Sequence, residues 1–233
     1  MRALWVSGAL TLLMWAQGAL AGTVLVVGDS ISAALGVDTR QGWVALLQKR
    51  LQEGGFEHRV VNASISGDTS SGGAARLPAL LAQHQPELVI IELGGNDGLR
   101  GQPLVQLQQN LARMIDASRA AEADVLLLGM RLPPNYGQRY TQAFAQVYAD
   151  LAAGKQVALV PFLLEGVGGV PGMMQADGIH PTAAAQPIML DNVWPTLEPL
   201  LRAFLACGLS AIVAPPPWSR ECRVPPGLCT PTN

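Results

Sequence analysis

The sequence predicts an α/β protein: a three-layer α/β/α, doubly wound, flavodoxin-like sheet of about five parallel strands. Short apolar runs alternate with longer segments whose apolar residues recur at helical spacing. The runs at Thr23–Val27 and Leu88–Leu93 read as continuous apolar stretches, the pattern of strands covered on both faces. The runs open into glycine-rich or small-residue loops, and in such sheets ligands bind beyond the carboxyl ends of the strands. Right-handed crossovers leave few strand orders, with the first strand near the centre.

Thr23–Val27 is the first strand, and Gly28-Asp29-Ser30 is the turn at its mouth. A hydroxyl there faces a crevice, with the amides of a following helix close behind it. The competing reading is that Asp29 and Ser30 only turn the chain and cap that helix. After Gly36 comes a helix capped by Asp38 or Thr39, striped by Trp43, Leu46, Leu47 and Leu51, and ended by Gly54-Gly55. His58–Asn62 is the second strand and runs into a small-residue loop, 63–73. A helix from about Ala74 to Gln83 stops before Pro86. Leu88–Leu93 is the third strand, followed by a glycine turn at 94–98. Pro103 opens a helix through Leu104, Leu107, Leu111, Met114 and Ile115. Val125–Gly129 is the fourth strand, and the next helix carries Tyr140, Phe144, Val147, Tyr148 and Leu151. Val157–Phe162 is the fifth strand. A loop rich in Gly, Val and Met leads to Asp177-Gly178-Ile179-His180-Pro181 and a last helix into 197–205.

The 233 residues suit one sizeable domain. Hydrophobic residues make up 49% and charged residues 14%, which argues against disorder along most of the chain. A net charge of −2 without a Lys/Arg cluster argues against nucleic acid as a partner. Residues 1–21 read as a signal peptide: Arg2, an apolar run, then Ala19-Leu20-Ala21 as the cleavage site. Cleavage after Ala21 leaves no stable membrane anchor and implies a periplasmic or secreted protein. The folded domain is expected over 22–206, and 207–233 reads as an irregular or disordered Pro- and Cys-containing tail. All three cysteines, Cys207, Cys222 and Cys229, fall there, so at most one internal bridge can form and the core holds none.

Acyl transfer by a serine needs a base, a group that orients the base, and donors for the oxyanion. His58 and His84 read as exposed residues at a strand edge and a helix end. His180 sits in a loop after the fifth strand, at the correct end of the sheet, and Asp177 stands three residues before it. Within one irregular turn, that spacing lets a carboxylate reach Nδ1 while Nε2 points outward. Candidate oxyanion donors are the amides of Ser30 and Gly67 and the side chain of Asn96. Asp29 reads as a turn residue, and Asp68 and Asp97 as holding their own loops by Asx-type bonds. No serine is centred in G-x-S-x-G, no G-x-G-x-x-G or Walker lysine follows the first strand, and the histidines are scattered. Serine chemistry without a cofactor or metal remains. Leu35, Leu99, Leu132, Val167, Val170 and Met173 are the candidates for apolar contact with an acyl group.

Taken together, Gly28-Asp-Ser30, the Gly67 loop, Gly94-Gly-Asn-Asp97 and Asp177-Gly-Ile-His180 resemble the blocks of the SGNH (GDSL) hydrolase superfamily, in order. The similarity covers about 23–205. Within the superfamily, Asn62-Ala-Ser-Ile-Ser-Gly-Asp-Thr69, Glu92-Leu-Gly-Gly-Asn-Asp97 and Leu132-Pro-Pro-Asn-Tyr-Gly137 are most similar to the exported TesA-type branch. The resemblance implies Ser30 as nucleophile, Asp177 and His180 as its partners, and Gly67 and Asn96 as oxyanion donors. It implies ester and thioester substrates: aryl esters, acyl-CoA and lysophospholipids, cleaved through an acyl-enzyme by what is expected to be a monomer. A carbohydrate O-deacetylase and a non-catalytic lipid-binding protein are the alternatives on the same fold.

Overall fold

The computed structural model describes residues 22–210, with side chains to residue 204. The expected leader over 1–21 and the chain beyond Ser210, with Cys222 and Cys229, lie outside the described residues. Strands β1 (Thr23–Gly28), β2 (Arg59–Asn62), β3 (Leu88–Glu92), β4 (Asp124–Leu128) and β5 (Ala158–Val160) pair in parallel in the order β2-β1-β3-β4-β5. This is the flavodoxin-like order. β1 lies between β2 and β3, with Val26 opposite Asn62 on one side and Ile90 on the other.

Helices α1 (Trp43–Glu53), α2 (Ser70–His84), α3 (Gly95–Leu99), α4 (Leu104–Ala120), α5 (Gln138–Lys155) and α6 (Gln186–Ser210) complete the described chain. The connection from β1 to β2 steps one way along the sheet, and those into β3, β4 and β5 step the other way. Right-handed crossovers therefore place α1 on one face and α2, α4 and α5 on the opposite face. The packing agrees: α2 lies on α4, α4 on α5, and α6 returns to cover α1. Every residue of β1 and β3 is buried, since each has a neighbouring strand on both sides and helices on both faces.

The elements depart from the sequence expectation in places with identifiable causes. α2 starts at Ser70 and not near Ala74, so Ser-Ser-Gly-Gly, a poor helix former, makes its first turn. Thr69 Oγ1 caps it by accepting the Gly72 N–H at 3.3 Å, and Ser70 is held by Asp97. The expected glycine turn after β3 contains the short helix α3. Asp38 caps a brief 3₁₀ turn, Thr39–Gln41, and not α1 itself, which follows Gly42. No helix starts directly behind Ser30; residues 30–36 form successive turns. β5 is only three residues long. α6 runs on to Ser210, so Cys207 falls within a helix and not in an irregular tail.

His58 also departs from expectation. It is 4% exposed, packed on the rings of Phe56 and Phe204 and 3.4 Å from Glu87 Oε2. Preceding an edge strand did not expose it, because α6 covers that edge. His84 is half-buried in the last turn of α2.

Candidate active site

Ser30, two residues beyond β1, is 7% exposed, and its Oγ lies 2.9 Å from His180 Nε2. His180 Nδ1 lies 2.6 Å from Asp177 Oδ2. Asp177 Oδ1 accepts the backbone N–H groups of Ile179 at 2.9 Å and His180 at 3.0 Å. With the ring proton on Nδ1, His180 donates to Asp177 and its Nε2 is left to accept the serine proton. The bond to the His180 ring, then the two backbone bonds, hold the Asp177 carboxyl down at about 2. Asp177, its side chain 45% exposed, is anionic at neutral pH.

The loop carrying these residues is shaped locally. Gly178 takes φ +67°, a left-handed value that favours glycine, and its N–H closes a turn onto Gln175 O at 2.9 Å. Gln175 then ties this loop to the one that follows Ser30. Its backbone N–H donates to His180 O at 2.7 Å, and its Nε2 donates to Leu35 O at 2.7 Å and Pro181 O at 3.0 Å.

Beneath Ser30 lie two buried carboxyls. Asp29 Oδ1 accepts the Ile31 N–H at 3.0 Å, the turn role expected of it, but Oδ2 also accepts from Asn96 Nδ2 at 3.1 Å. Glu92 Oε2 accepts the Asp29 N–H at 3.2 Å and the Ser32 hydroxyl at 2.7 Å. Burial raises Asp29 to about 6 against the lowering bonds from Ile31 and Asn96. Burial first, and the Asp29 charge second, push Glu92 well above the usual carboxyl range. Reading Leu88–Leu93 as an uninterrupted apolar run passed over Glu92. An acidic residue inside such a run was the available signal.

The other donors are anchored with comparable care. Both protons of the Asn96 amide are engaged, one by Asp29 and one by Asp68 O at 2.9 Å. Gly67 has φ +79° in the turn closed by the Asp68 N–H to Ile65 O at 3.1 Å, a conformation suited to glycine. Gly67 is not on the cleft wall described below, but its loop touches Asn96 through the Asp68 carbonyl. Asp68 does hold its own loop, accepting the Thr69 N–H at 2.9 Å, and also pairs with Arg76 Nε at 2.8 Å. Arg76 in turn donates to the carbonyls of Ala63 and Gly28, joining the Gly67 loop to the end of β1. Asp97 does not serve its own loop as expected. It reaches 27 residues back to accept the Ser70 N–H at 2.8 Å and hydroxyl at 2.5 Å.

A cleft of about 460 Å³ opens from Ser30, Asn96 and His180. Of the residues expected on its wall, Leu99 and Leu132 are there. Leu35 and Val170 are exposed elsewhere, at 46% and 39%. Val167 is fully buried in the core, and Met173 packs against that core one residue before Met174, which does line the cleft. Also on the wall are Met130, Pro133, Pro134, Phe162 and Leu164, which follow the carboxyl ends of β4 and β5. Applying the strand-end rule to these two strands as strictly as to β1 would have found them. At the rim, Arg131 lies over the Phe162 ring, 4.7 Å from its centroid, and 3.5 Å from Glu165.

A serine in contact with an imidazole, itself bonded to a carboxylate, at the carboxyl edge of a doubly wound sheet defines a serine hydrolase. The family model described as GDSL-like lipase/acylhydrolase matches residues 26–187, and the chain belongs to that family. Esterase TesA of Pseudomonas aeruginosa is 70% identical over 201 residues, 86% of this chain and 100% of that protein. Thioesterase 1/protease 1/lysophospholipase L1 of Escherichia coli is 49% identical over 185 residues, 79% of this chain and 88% of that protein. A crystal structure of TesA matches with a TM-score of 0.76 at 72% identity, covering 76% of this chain and 99% of that one. The psychrotrophic esterase EstA from Pseudoalteromonas sp., in a structure inhibited by monoethylphosphonate, matches with a TM-score of 0.74 at 39% identity, covering 78% and 99%.

Proposed function

We propose that Ser30 is the nucleophile of an esterase and thioesterase that acts on aryl esters, acyl-CoA and lysophospholipids through an acyl-enzyme. The observation that carries this reading is the hydrogen-bonded series Ser30–His180–Asp177 at the polar end of an apolar cleft. His180 takes the Ser30 proton as Oγ attacks the carbonyl carbon, then returns it to the leaving alkoxide or thiolate. Asp177 holds the ring orientation and offsets the charge of the imidazolium. In the second half, His180 deprotonates a water that attacks the acyl carbon, and Ser30 leaves with the proton.

The developing oxyanion needs donors, and Asn96 supplies one only by releasing a partner. Its amide lies between Asp29 Oδ2 and Asp68 O, and one N–H turns toward the oxyanion as its bond is released, with the Ser30 and Gly67 amides completing the hole. Asn96→Ala is expected to lower kcat by about 10² to 10³ with little change in KM. A change confined to KM makes Asn96 a ground-state contact instead.

The acyl chain lies along the cleft. From the end of β1 to the end of β5 is three strand spacings, about 14 Å. At about 1.25 Å per methylene, that length holds roughly eleven or twelve carbons. A p-nitrophenyl ester series run against the wild type and Ser30→Ala is expected to show activity rising with chain length to about that point. A sharp maximum at acetate supports carbohydrate O-deacetylation instead, and fatty-acid binding without hydrolysis of any member supports a non-catalytic lipid binder. No helix among the described residues is long and apolar enough to cross a membrane. Residues 1–21 fit an export signal cut after Ala21, and the protein is read as a periplasmic or secreted monomer.

A further inference from the structure

Glu92 closes a strand whose five residues are all buried, and it is itself 0% exposed. A buried acid is normally paired with a base or given donors at both oxygens. Here the donors crowd onto one. Oε2 takes the Asp29 N–H and the Ser32 hydroxyl, while Oε1 is buried without a partner. Both donors belong to the turn that carries Ser30, one residue before it and two after. A Cβ at Gly28 would stand 2.7 Å from Glu92 Oε2, so the chain entering that turn rests directly on the carboxyl. Ser32 Oγ also accepts Trp43 Nε1 at 3.2 Å, which ties the same point to α1.

We propose that Glu92 is a positioning residue: protonated and neutral, it clamps the Asp29–Ser32 turn from beneath and leaves the pair's one negative charge on Asp29, which holds the Asn96 amide. This rests on reading Ser30 as the nucleophile and Asn96 as an oxyanion donor. The groups that face the pair are Asp68, His180 and, from α5, Tyr148. Arg76, the fixed cation of this region, is committed to Asp68 and to two carbonyls. Neither carboxyl is hydrogen-bonded to a basic side chain, so one of them keeps a proton. Two ionised groups this close and dry oppose each other.

The sign of the pH effect follows. A carboxyl raised on folding costs nothing below its unfolded value, and stability falls as pH rises while the folded state keeps the proton. Asp29 contributes that fall only up to about pH 6, and a fall above it that Glu92→Gln removes belongs to Glu92.

The test uses Glu92→Gln and Glu92→Leu in the full chain, with kcat, KM, fluorophosphonate labelling rate, and Tm at pH 6 and 8. Gln reproduces a neutral acid, so it is expected to hold kcat within about threefold and to remove the fall in Tm between the two pH values. Leu removes the clamp but also a buried acid, so Tm at pH 8 is expected to hold or rise. Its kcat and labelling rate are expected to fall about a hundredfold with KM little changed. A Leu variant with near-parental kcat makes Glu92 merely structural and overturns the proposal. A Gln variant that loses kcat and labelling about a hundredfold shows that a charge is required, and overturns it too. If the Leu variant does not fold, the Gln variant alone decides, by its kcat and its Tm difference. Failure of the underlying nucleophile reading is separable, since it appears as labelling that survives Ser30→Ala.

Discussion

Ser30→Ala is expected to lower kcat by roughly 10⁵ to 10⁶ and to abolish fluorophosphonate labelling, while Tm stays close to the parent. The expected size follows from how the groups are joined. On the proposed reading Ser30 Oγ is the atom that attacks, and without it His180 and Asp177 are a base and its orienter with nothing to activate. What survives is binding and the oxyanion donors, which act on water alone. The small change in stability follows from the site: the hydroxyl has one partner, His180 Nε2, and Ser30 contributes little to the core. Equal labelling of the parent and the alanine variant would place the nucleophile elsewhere.

Asp177→Asn is expected to lower kcat by about 10⁴. The amide is nearly the same size, but its NH₂ offers a donor where His180 Nδ1–H needs an acceptor. The ring then turns or carries its proton on Nε2, the atom that has to receive the proton from Ser30. A loss below tenfold would show that the ring is oriented by its own loop, through the bonds of Gln175 and Gly178. The pH profile gives a second check. The Asp177 carboxyl is depressed on folding, so what it contributes is complete above the ordinary aspartate value near 3.8 and is lost only as pH falls through about 2. Any acid limb of activity above pH 4 therefore belongs to another group in the site.

The parts that were legible in the sequence are those whose partners are close along the chain or whose pattern repeats. β1, β3 and the strand order follow from apolar runs and alternation, and the Asp177–His180 contact spans only three residues. The parts that were not legible depend on residues far apart. Asn96 is held by Asp29 from 67 positions away, Glu92 by groups 60 and 63 away, and Leu35 by Gln175 across 140. No local spacing encodes such pairs. The start of α2 was missed for a related reason: Ser-Ser-Gly-Gly is helical because Asp97 holds Ser70, a tertiary contact that overrides poor propensity. The cleft was half legible. Leu99, at the end of α3, and Leu132, four residues past β4, lie in connections that leave strand ends, whereas Val167 and Met173 belong to a loop in which those two residues turn inward to the core.

The separation of 150 positions from Ser30 to His180 also bears on how the enzyme comes into being. Ser30, the proposed nucleophile, follows the first strand made, and His180, its proposed base, comes after the fifth, so the crossovers between them have to form before the two can touch. Parallel pairing of this kind has high contact order and folds slowly. The α6 helix closes the order: Gln186 Oε1 accepts the Trp43 N–H at 2.9 Å, and Asp191 pairs with Arg50, fastening the end of the fold to its beginning. A partly made or partly folded chain therefore holds a serine without a base. On that reading hydrolytic activity arises only with the last contacts of the fold, and the nascent polypeptide is inert until then.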